Sequence, residues 1–289
     1  MYCEKINELL DFQLQHIACK YFDRLSTYPH VISPFSRMYL VTNGVGKLTT
    51  GNGRVSLEKD HIYLLPSFTP CTYVFQPGLS HIYIHFKVSM TNGLNFFSLF
   101  KTNQKEKSSH FTQCLFQRLL DINPGLELPH DDPKVYQAKP WLNKTVTFDS
   151  LKQHLETTSM IGQLLCNFIN PEPSLPTLKL LRHNLHPILD FIQANLHKEI
   201  SVDELATMAC FSKDHFTRIF KSILGIPPHE YIIRKRIEKA QALLLTSDLS
   251  QLQIMEETGI RNVSYFSRIF KKHTDKTPTE YRKHNLEIG

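Results

Sequence analysis

A sixteen-residue stretch occurs twice near the C-terminal end, fifty positions apart, and it constrains the fold more than any other feature of the chain. Residues 216–231 read Phe-Thr-Arg-Ile-Phe-Lys-Ser-Ile-Leu-Gly-Ile-Pro-Pro-His-Glu-Tyr, and residues 266–281 read Phe-Ser-Arg-Ile-Phe-Lys-Lys-His-Thr-Asp-Lys-Thr-Pro-Thr-Glu-Tyr. Eight of the 16 positions are identical. A segment repeated in this way folds twice into one kind of supersecondary unit, so the C-terminal third is a tandem duplication.

Each copy opens on a capping-box pattern, Ser201-x-x-Glu204 and Ser250-x-x-Gln253. The spacing predicts a short helix over 202–208 or 251–257. A turn follows, Ala209-Cys-Phe211 or Thr258-Gly-Ile-Arg261, one residue longer in the second copy. Ser212 and Asn262 then stand where an N-cap would start a second helix. Two short helices joined by a tight turn are the helix-turn-helix plan, here over about 201–221 and 250–271.

In the second helix of the first copy, Phe216, Ile219, Phe220 and Ile223 recur at i, i+3, i+4 and i+7 and face a core. The outer surface then carries Lys213, Asp214, Thr217, Arg218 and Lys221, and in the second copy Ser264, Tyr265, Ser267, Arg268 and Lys271. Short polar groups and an arginine at the start of an exposed helix suit base edges in a major groove, and a lysine one turn later suits phosphate. For a single helix, such charges read equally as a solvated face. Two copies with Arg and Lys at the same positions favour double-stranded DNA.

Between the copies a helical pattern runs from Pro228 to about Thr246, through Tyr231, Ile233, Ile237, Ala240 and Leu244. At roughly 1.5 Å per residue it spans about 28 Å, close to the roughly 34 Å of one DNA turn. Arg234, Lys235, Arg236 and Lys239 cluster on it, either toward DNA or as an ordinary amphipathic surface.

Residues 184–284 resemble the DNA-binding domain of AraC/XylS-type transcriptional regulators. The matching stretches are Ser-Val-Asp-Glu-Leu-Ala206, Phe-Thr-Arg-Ile-Phe-Lys221, Tyr-Ile-Ile-Arg-Lys-Arg-Ile-Glu-Lys-Ala-Gln-Ala-Leu-Leu244, Val-Ser-Tyr-Phe-Ser-Arg-Ile-Phe-Lys-Lys272 and Lys-Thr-Pro-Thr-Glu-Tyr-Arg282. Departures fall at Met255 and Glu256, where the family favours Ile-Ala, at Ile260 for its usual Phe, and at Asp275 for its usual Gly. The resemblance implies sequence-specific regulation of transcription, with RNA polymerase and a second copy of the chain as further partners. It also implies a cupin-like β-barrel ahead of the DNA-binding half, where a small effector of unknown identity binds.

The upstream sequence fits an α+β chain: an N-terminal β-barrel sensor plus an all-α domain with two helix-turn-helix modules. Gly51-Asn-Gly53 marks a turn between β-type runs at 47–50 and 54–57, and further runs lie at 61–65, 71–75 and 81–86. Short strands at this spacing read as a barrel or a sandwich. Alternation puts His81, Tyr83 and His85 on one strand face and Ile82, Ile84 and Phe86 on the other. The His/Tyr face, with Tyr73 nearby, is the candidate effector surface; a satisfied core set is the plain alternative. A helix is expected over 150–169 behind Ser150, and a loop over 123–144. Three prolines in residues 171–176 mark a linker at 171–177, dividing a domain at 1–170 from one at 178–289.

Composition narrows the alternatives. With 289 residues, 41% hydrophobic and 21% charged, the chain can build two cores. It contains no run of 18 apolar residues, so no membrane span is expected, and Met1-Tyr-Cys-Glu-Lys argues against a secretory signal. Six scattered cysteines without a Cys-x-x-Cys pair read as reduced thiols of a cytoplasmic protein. Net charge is +6, and from Thr177 on there are 17 basic against 13 acidic residues, which permits a polyanion partner. A DNA-binding regulator whose barrel only dimerises is a second reading, and a metal-dependent cupin enzyme is a third. His81 and His85 stand about 13 Å apart along a strand, too far to share one ion, and no His-x-His pair, nucleophile triad or glycine-rich phosphate loop occurs. Neither a cofactor nor a catalytic role is expected.

Overall fold

The structure, a computed structural model, describes residues 10–51, 53–90, 96–130, 146–170 and 185–286. Two compact units separate by their contacts. One holds the described part of 11–88 and of 102–170; the other holds 185–286 with Leu10 and the described part of 89–101. The expected linker at 171–177 lies outside the described residues.

The first unit is built on two sheets. Strands β1 (Leu10–Tyr21), β8 (Ser80–Met90), β3 (Ser36–Asn43), β6 (His61–Leu65) and β9 (Lys105–Lys107) lie in that order in one. Strands β2 (Ser26–Val31), β7 (Cys71–Phe75), β4 (Val45–Thr50) and β5 (Gly53–Glu58) form the other. β3 runs antiparallel to both β6 and β8, and the four-stranded sheet is antiparallel throughout. The expected closed barrel is corrected: among the described residues the hydrogen-bonded ladders end in separate sheets. One outer strand of each sheet is poorly suited to further pairing. β9 is three residues of Lys-Glu-Lys, and β5 exposes Gly53, Arg54 and Ser56.

Inner faces meet in one core. Tyr39, Val41, Tyr63, Leu65 and Tyr83 from one sheet join Leu48, Leu57, Tyr73 and Phe75 from the other. Register explains the row of phenols, because Tyr39 pairs across β3 with Tyr63 on one side and Tyr83 on the other. The opposite face of the five-stranded sheet is also buried, at Met38, Leu40, Ile62, Ile82, Ile84 and Phe86. With both faces buried, His81 to Phe86 of β8 form one continuous buried run, whose polar side is His81, Tyr83 and His85.

Three helices interrupt this unit and its neighbour: α1 (Phe96–Leu99), α2 (His110–Ile122) and α3 (Leu151–Cys166). Ser109 caps α2 by accepting from Thr112 N, and Ser150 caps α3 by accepting from Gln153 N. α2 lies against α3 through Arg118–Glu156 at 2.7 Å and through Asn123 Nδ2 donating to Thr157 Oγ1 at 3.0 Å.

The second unit is helical: α4 (His186–Ala194), α5 (Val202–Met208), α6 (Lys213–Leu224), α7 (Pro228–Thr246), α8 (Gln251–Thr258), α9 (Val263–Thr274) and α10 (Pro278–Leu286). Duplication in sequence becomes duplication in geometry. Phe220 meets Tyr231 edge-on at 5.5 Å, and Phe270 meets Tyr281 edge-on at 5.3 Å. Phe216–Phe220 and Phe266–Phe270 repeat a tilted contact at 5.5 and 5.8 Å. The two departures from the family pattern at Met255 and Ile260 are both buried apolar residues of the second core, while Glu256 is exposed.

Candidate functional site

Helices α6 and α9 present the repeated outer face. From Lys213 to Lys221 and from Val263 to Lys271 the two alternate between exposed and buried positions in the same order. Asp214, Arg218 and Lys221 are exposed on α6, with Thr217 half-buried; Ser264, Tyr265, Arg268 and Lys271 are exposed on α9, with Ser267 half-buried. Ser267 accepts from Gln251 Nε2 at 3.4 Å, and the Arg268 guanidinium lies 5.6 Å from the Tyr265 ring centre. Lys213 is held by Asp203 at 2.7 Å, an exposed pair easily exchanged for another anion. Among the described residues, the side chains of Arg218, Lys221 and Lys271 make no hydrogen bond or ion pair.

The helix starts differ between the copies. Asn262 accepts from Tyr265 N, and Ser250 with Gln253 forms the full reciprocal capping box. Ser201 accepts from Glu204 N, whereas Ser212 takes the extended cap conformation with no side-chain cap bond.

The basic cluster on α7 is occupied within the fold. Arg234 pairs with Glu230 at 3.0 Å, and the buried Lys235 pairs with Glu238 at 2.7 Å. Arg236 donates to Leu196 O and Lys198 O, and Lys239 donates to Glu257 O. Sequence could not separate Arg236 and Lys239 from the cations on α6 and α9, because their partners lie 18 to 40 residues away. Arg234 and Lys235, by contrast, have partners one turn along the same helix. Arg261, which sequence reasoning passed over, is exposed in the longer second turn.

A cavity of about 250 Å³ opens inside the two-sheet unit. Its lining includes Lys20, Phe22, Tyr39, Tyr73, Phe75, His81, Tyr83, His85 and Leu128. The three residues that alternation placed on one face of β8 therefore stand together in one cavity with Tyr73. Register shows why: Val41 pairs with His81, Tyr39 with Tyr83 and Arg37 with His85.

Arg37 was not anticipated. Its side chain is fully buried, donating from Nη1 to Tyr73 Oη at 2.8 Å and to Cys71 Sγ at 3.1 Å, and from Nη2 to Thr69 O at 3.0 Å. Tyr73 Oη lies 2.8 Å from Tyr39 Oη. A lone arginine inside the apolar run of β3 is the signal that could have found this network. Burial pushes the Tyr39 phenol up to about 12, so it stays a hydrogen-bond donor at neutral pH.

His81 is 4% exposed and packed among rings, 5.2 Å from Tyr39, 5.6 Å from Phe22, 5.5 Å from Phe75 and 6.1 Å from Tyr83. Burial, with Lys20 nearby, drives its pKa down to about 3. The imidazole is therefore neutral, offering one N–H donor and one ring-nitrogen acceptor to the cavity. The segment expected as loop supplies a wall, because Leu128 N donates to Tyr83 Oη at 2.8 Å. Among the described residues no cluster of His, Cys, Asp and Glu could hold a metal ion.

Comparison with known proteins assigns the helical unit. The family described as "Helix-turn-helix domain" matches residues 205–284. The probable transcription factor PqrA of Proteus vulgaris is 34% identical over 101 residues, covering 34% of this chain and 83% of that protein. The chain belongs to the AraC/XylS-type transcriptional regulators.

Other regulators extend the match unevenly. The probable transcriptional regulator LumQ of Photobacterium leiognathi is 35% identical over 136 residues, 46% of this chain and 55% of LumQ, so the matched part spans about half of that relative. The lactose operon transcription activator of Staphylococcus xylosus is 23% identical over 260 residues, 89% of this chain and 87% of that protein. Among the described residues of this AraC/XylS-type chain, no helix is long and apolar enough to cross a membrane.

Proposed function

We propose that the chain is a sequence-specific DNA-binding transcription regulator that reads duplex DNA with α6 and α9 and responds to a small effector held between the two sheets. In this reading residues 1–170 form a cupin-like sensor, 171–177 link, and 178–289 bind DNA in the cytoplasm. RNA polymerase and a second copy of the chain are its further partners.

The supporting observation is the division of cations in the helical unit. Those on the connector α7 are engaged within the protein, whereas Arg218, Lys221 and Lys271 stand exposed and unengaged on two repeated helix faces. Retaining exposed arginine and lysine at equivalent points of two modules, each with its own caps and core, serves a periodic polyanion. For the effector role, the support is a ring-lined cavity with a neutral buried imidazole and oriented phenols, a composition suited to a small organic molecule.

Selection of binding sites from random duplexes by the full chain tests the reading. Enriched sites carrying two short motifs near one helical turn apart are expected. Recovery of sequences with no shared motif would overturn it.

A further inference from the structure

Gly259 occupies the turn between α8 and α9 at φ +66°, and Cys210 occupies the corresponding turn between α5 and α6 at φ +56°. The turn itself therefore accepts a side chain. Gly259 answers to a second constraint. A Cβ built there would lie 2.5 Å from Leu196 O, 3.0 Å from His197 C and 3.0 Å from Arg236 Nη2. Leu196 belongs to the core of the first module, alongside Leu205, Phe216 and Phe220. The second module's turn thus sits directly on the first module's backbone.

Arg236 closes that contact. It stands on α7 and reaches back into the loop before α5, donating from Nε to Leu196 O at 3.0 Å and from Nη2 to Lys198 O at 2.5 Å. Burial lowers its pKa, and a planar fork fits two neighbouring carbonyls as the single ammonium of lysine does not. One turn further along α7, Lys239 donates to Glu257 O at 2.6 Å and to its carboxylate at 3.1 Å, holding the end of α8. Two cations of one helix therefore grip both modules.

We propose that Arg236 and Gly259 form a lock between the modules that fixes the separation and rotation of α6 and α9, so that the protein selects DNA by the spacing of its two half-sites. Without it the modules, each with its own buried core, are joined chiefly through α7. The inference rests on the DNA-reading role proposed above. Arg236 is a positioning residue and Gly259 provides the clearance for the close approach.

The test uses the full chain, duplexes selected by it, and derivatives with one to three base pairs inserted between or deleted from the two half-sites. The parent should lose on the order of a hundredfold in affinity when one module is forced off its half-site. Arg236→Met, which keeps the aliphatic stem, and the milder Arg236→Lys should each bind the parental spacing several-fold more weakly. Both should show a spacing penalty cut to about tenfold or less, with helical content retained by circular dichroism. If the folded variants keep the parent's spacing penalty, the lock does not set the spacing. Uniform loss at every spacing, with a salt dependence shallower by one phosphate contact, would make Arg236 a DNA contact and overturn the proposal. A parent indifferent to spacing would overturn the lock alone, and a parent that selects no motif would remove the reading beneath it. Should Arg236→Met not fold, Arg236→Lys carries the comparison.

Discussion

Gly225 and Asp275 close the two recognition helices in the same left-handed conformation, at φ +77° and +59°, each donating its backbone N–H to the carbonyl four residues earlier. Only glycine adopts this conformation without a steric cost. The first copy has glycine; the second has an aspartate whose charge also sits at the negative end of a helix dipole. Asp275→Gly should therefore stabilise the second module, by about 1 kcal/mol. Calorimetric unfolding checks this, and an unchanged or lowered transition would show that Asp275 has a compensating role.

On the outer faces, arginine and lysine are expected to divide their work. Arg218→Ala or Arg268→Ala should cost on the order of 1–3 kcal/mol and relax preference at one base pair, because a guanidinium can bond a guanine through two donors. Lys221→Ala or Lys271→Ala should weaken all sequences alike. Competition binding against a panel of single-base variants separates these outcomes. The reverse pattern would exchange the roles.

The buried imidazoles give the two-sheet unit an acid limb. His81 titrates near 3 in the folded chain and near its ordinary 6.5 when unfolded, so the unfolded state binds more protons between these values. Stability conferred by the neutral ring is present above pH 6.5 and is lost as pH falls toward 3. His85 shifts in the same direction, again by burial first. His81→Gln should make the stability–pH slope in that window shallower by up to about 1.4 kcal/mol per pH unit. Superimposable slopes for parent and variant would contradict the assignment.

Effector binding should respond to the same wall. A molecule held in the cavity stabilises the unit by about 2.7 kcal/mol at a hundredfold excess over Kd. In a screen of metabolites by thermal shift, any compound that stabilises the parent should lose that effect in a His81→Ala, Tyr83→Ala variant that still folds. If such a compound binds the double variant as tightly as the parent, it binds elsewhere.

What the sequence reveals follows from how local each cause is. Helix α7 could be read to both ends, from Pro228 to Thr246, since a first-turn proline and a helical stripe are local signals. Strand parity placed His81, Tyr83 and His85 on one face because alternation is a property of the strand alone. β1 carries the alternation Leu10-Asp-Phe-Gln-Leu-Gln15, a local strand signal that lies outside the runs expected from sequence. β2 carries Pro29 and a left-handed His30, which read as a turn. Helix α2 does bear a signal, with Ser109 ahead of Leu115, Phe116 and Leu119, though it was not recognised in the sequence. The engagement of Arg236 and the burial of Arg37 depend on partners more than 30 residues distant, and no local pattern carries them.

Footprinting of the full chain on a selected duplex tests the central claim most directly. Two recognition helices held in one body predict protection of two adjacent major-groove segments on one face of the DNA, their centres about 10 base pairs apart. The predicted affinity falls steeply with salt as phosphate contacts are neutralised. A single short protected segment, or an affinity indifferent to salt, would contradict the account.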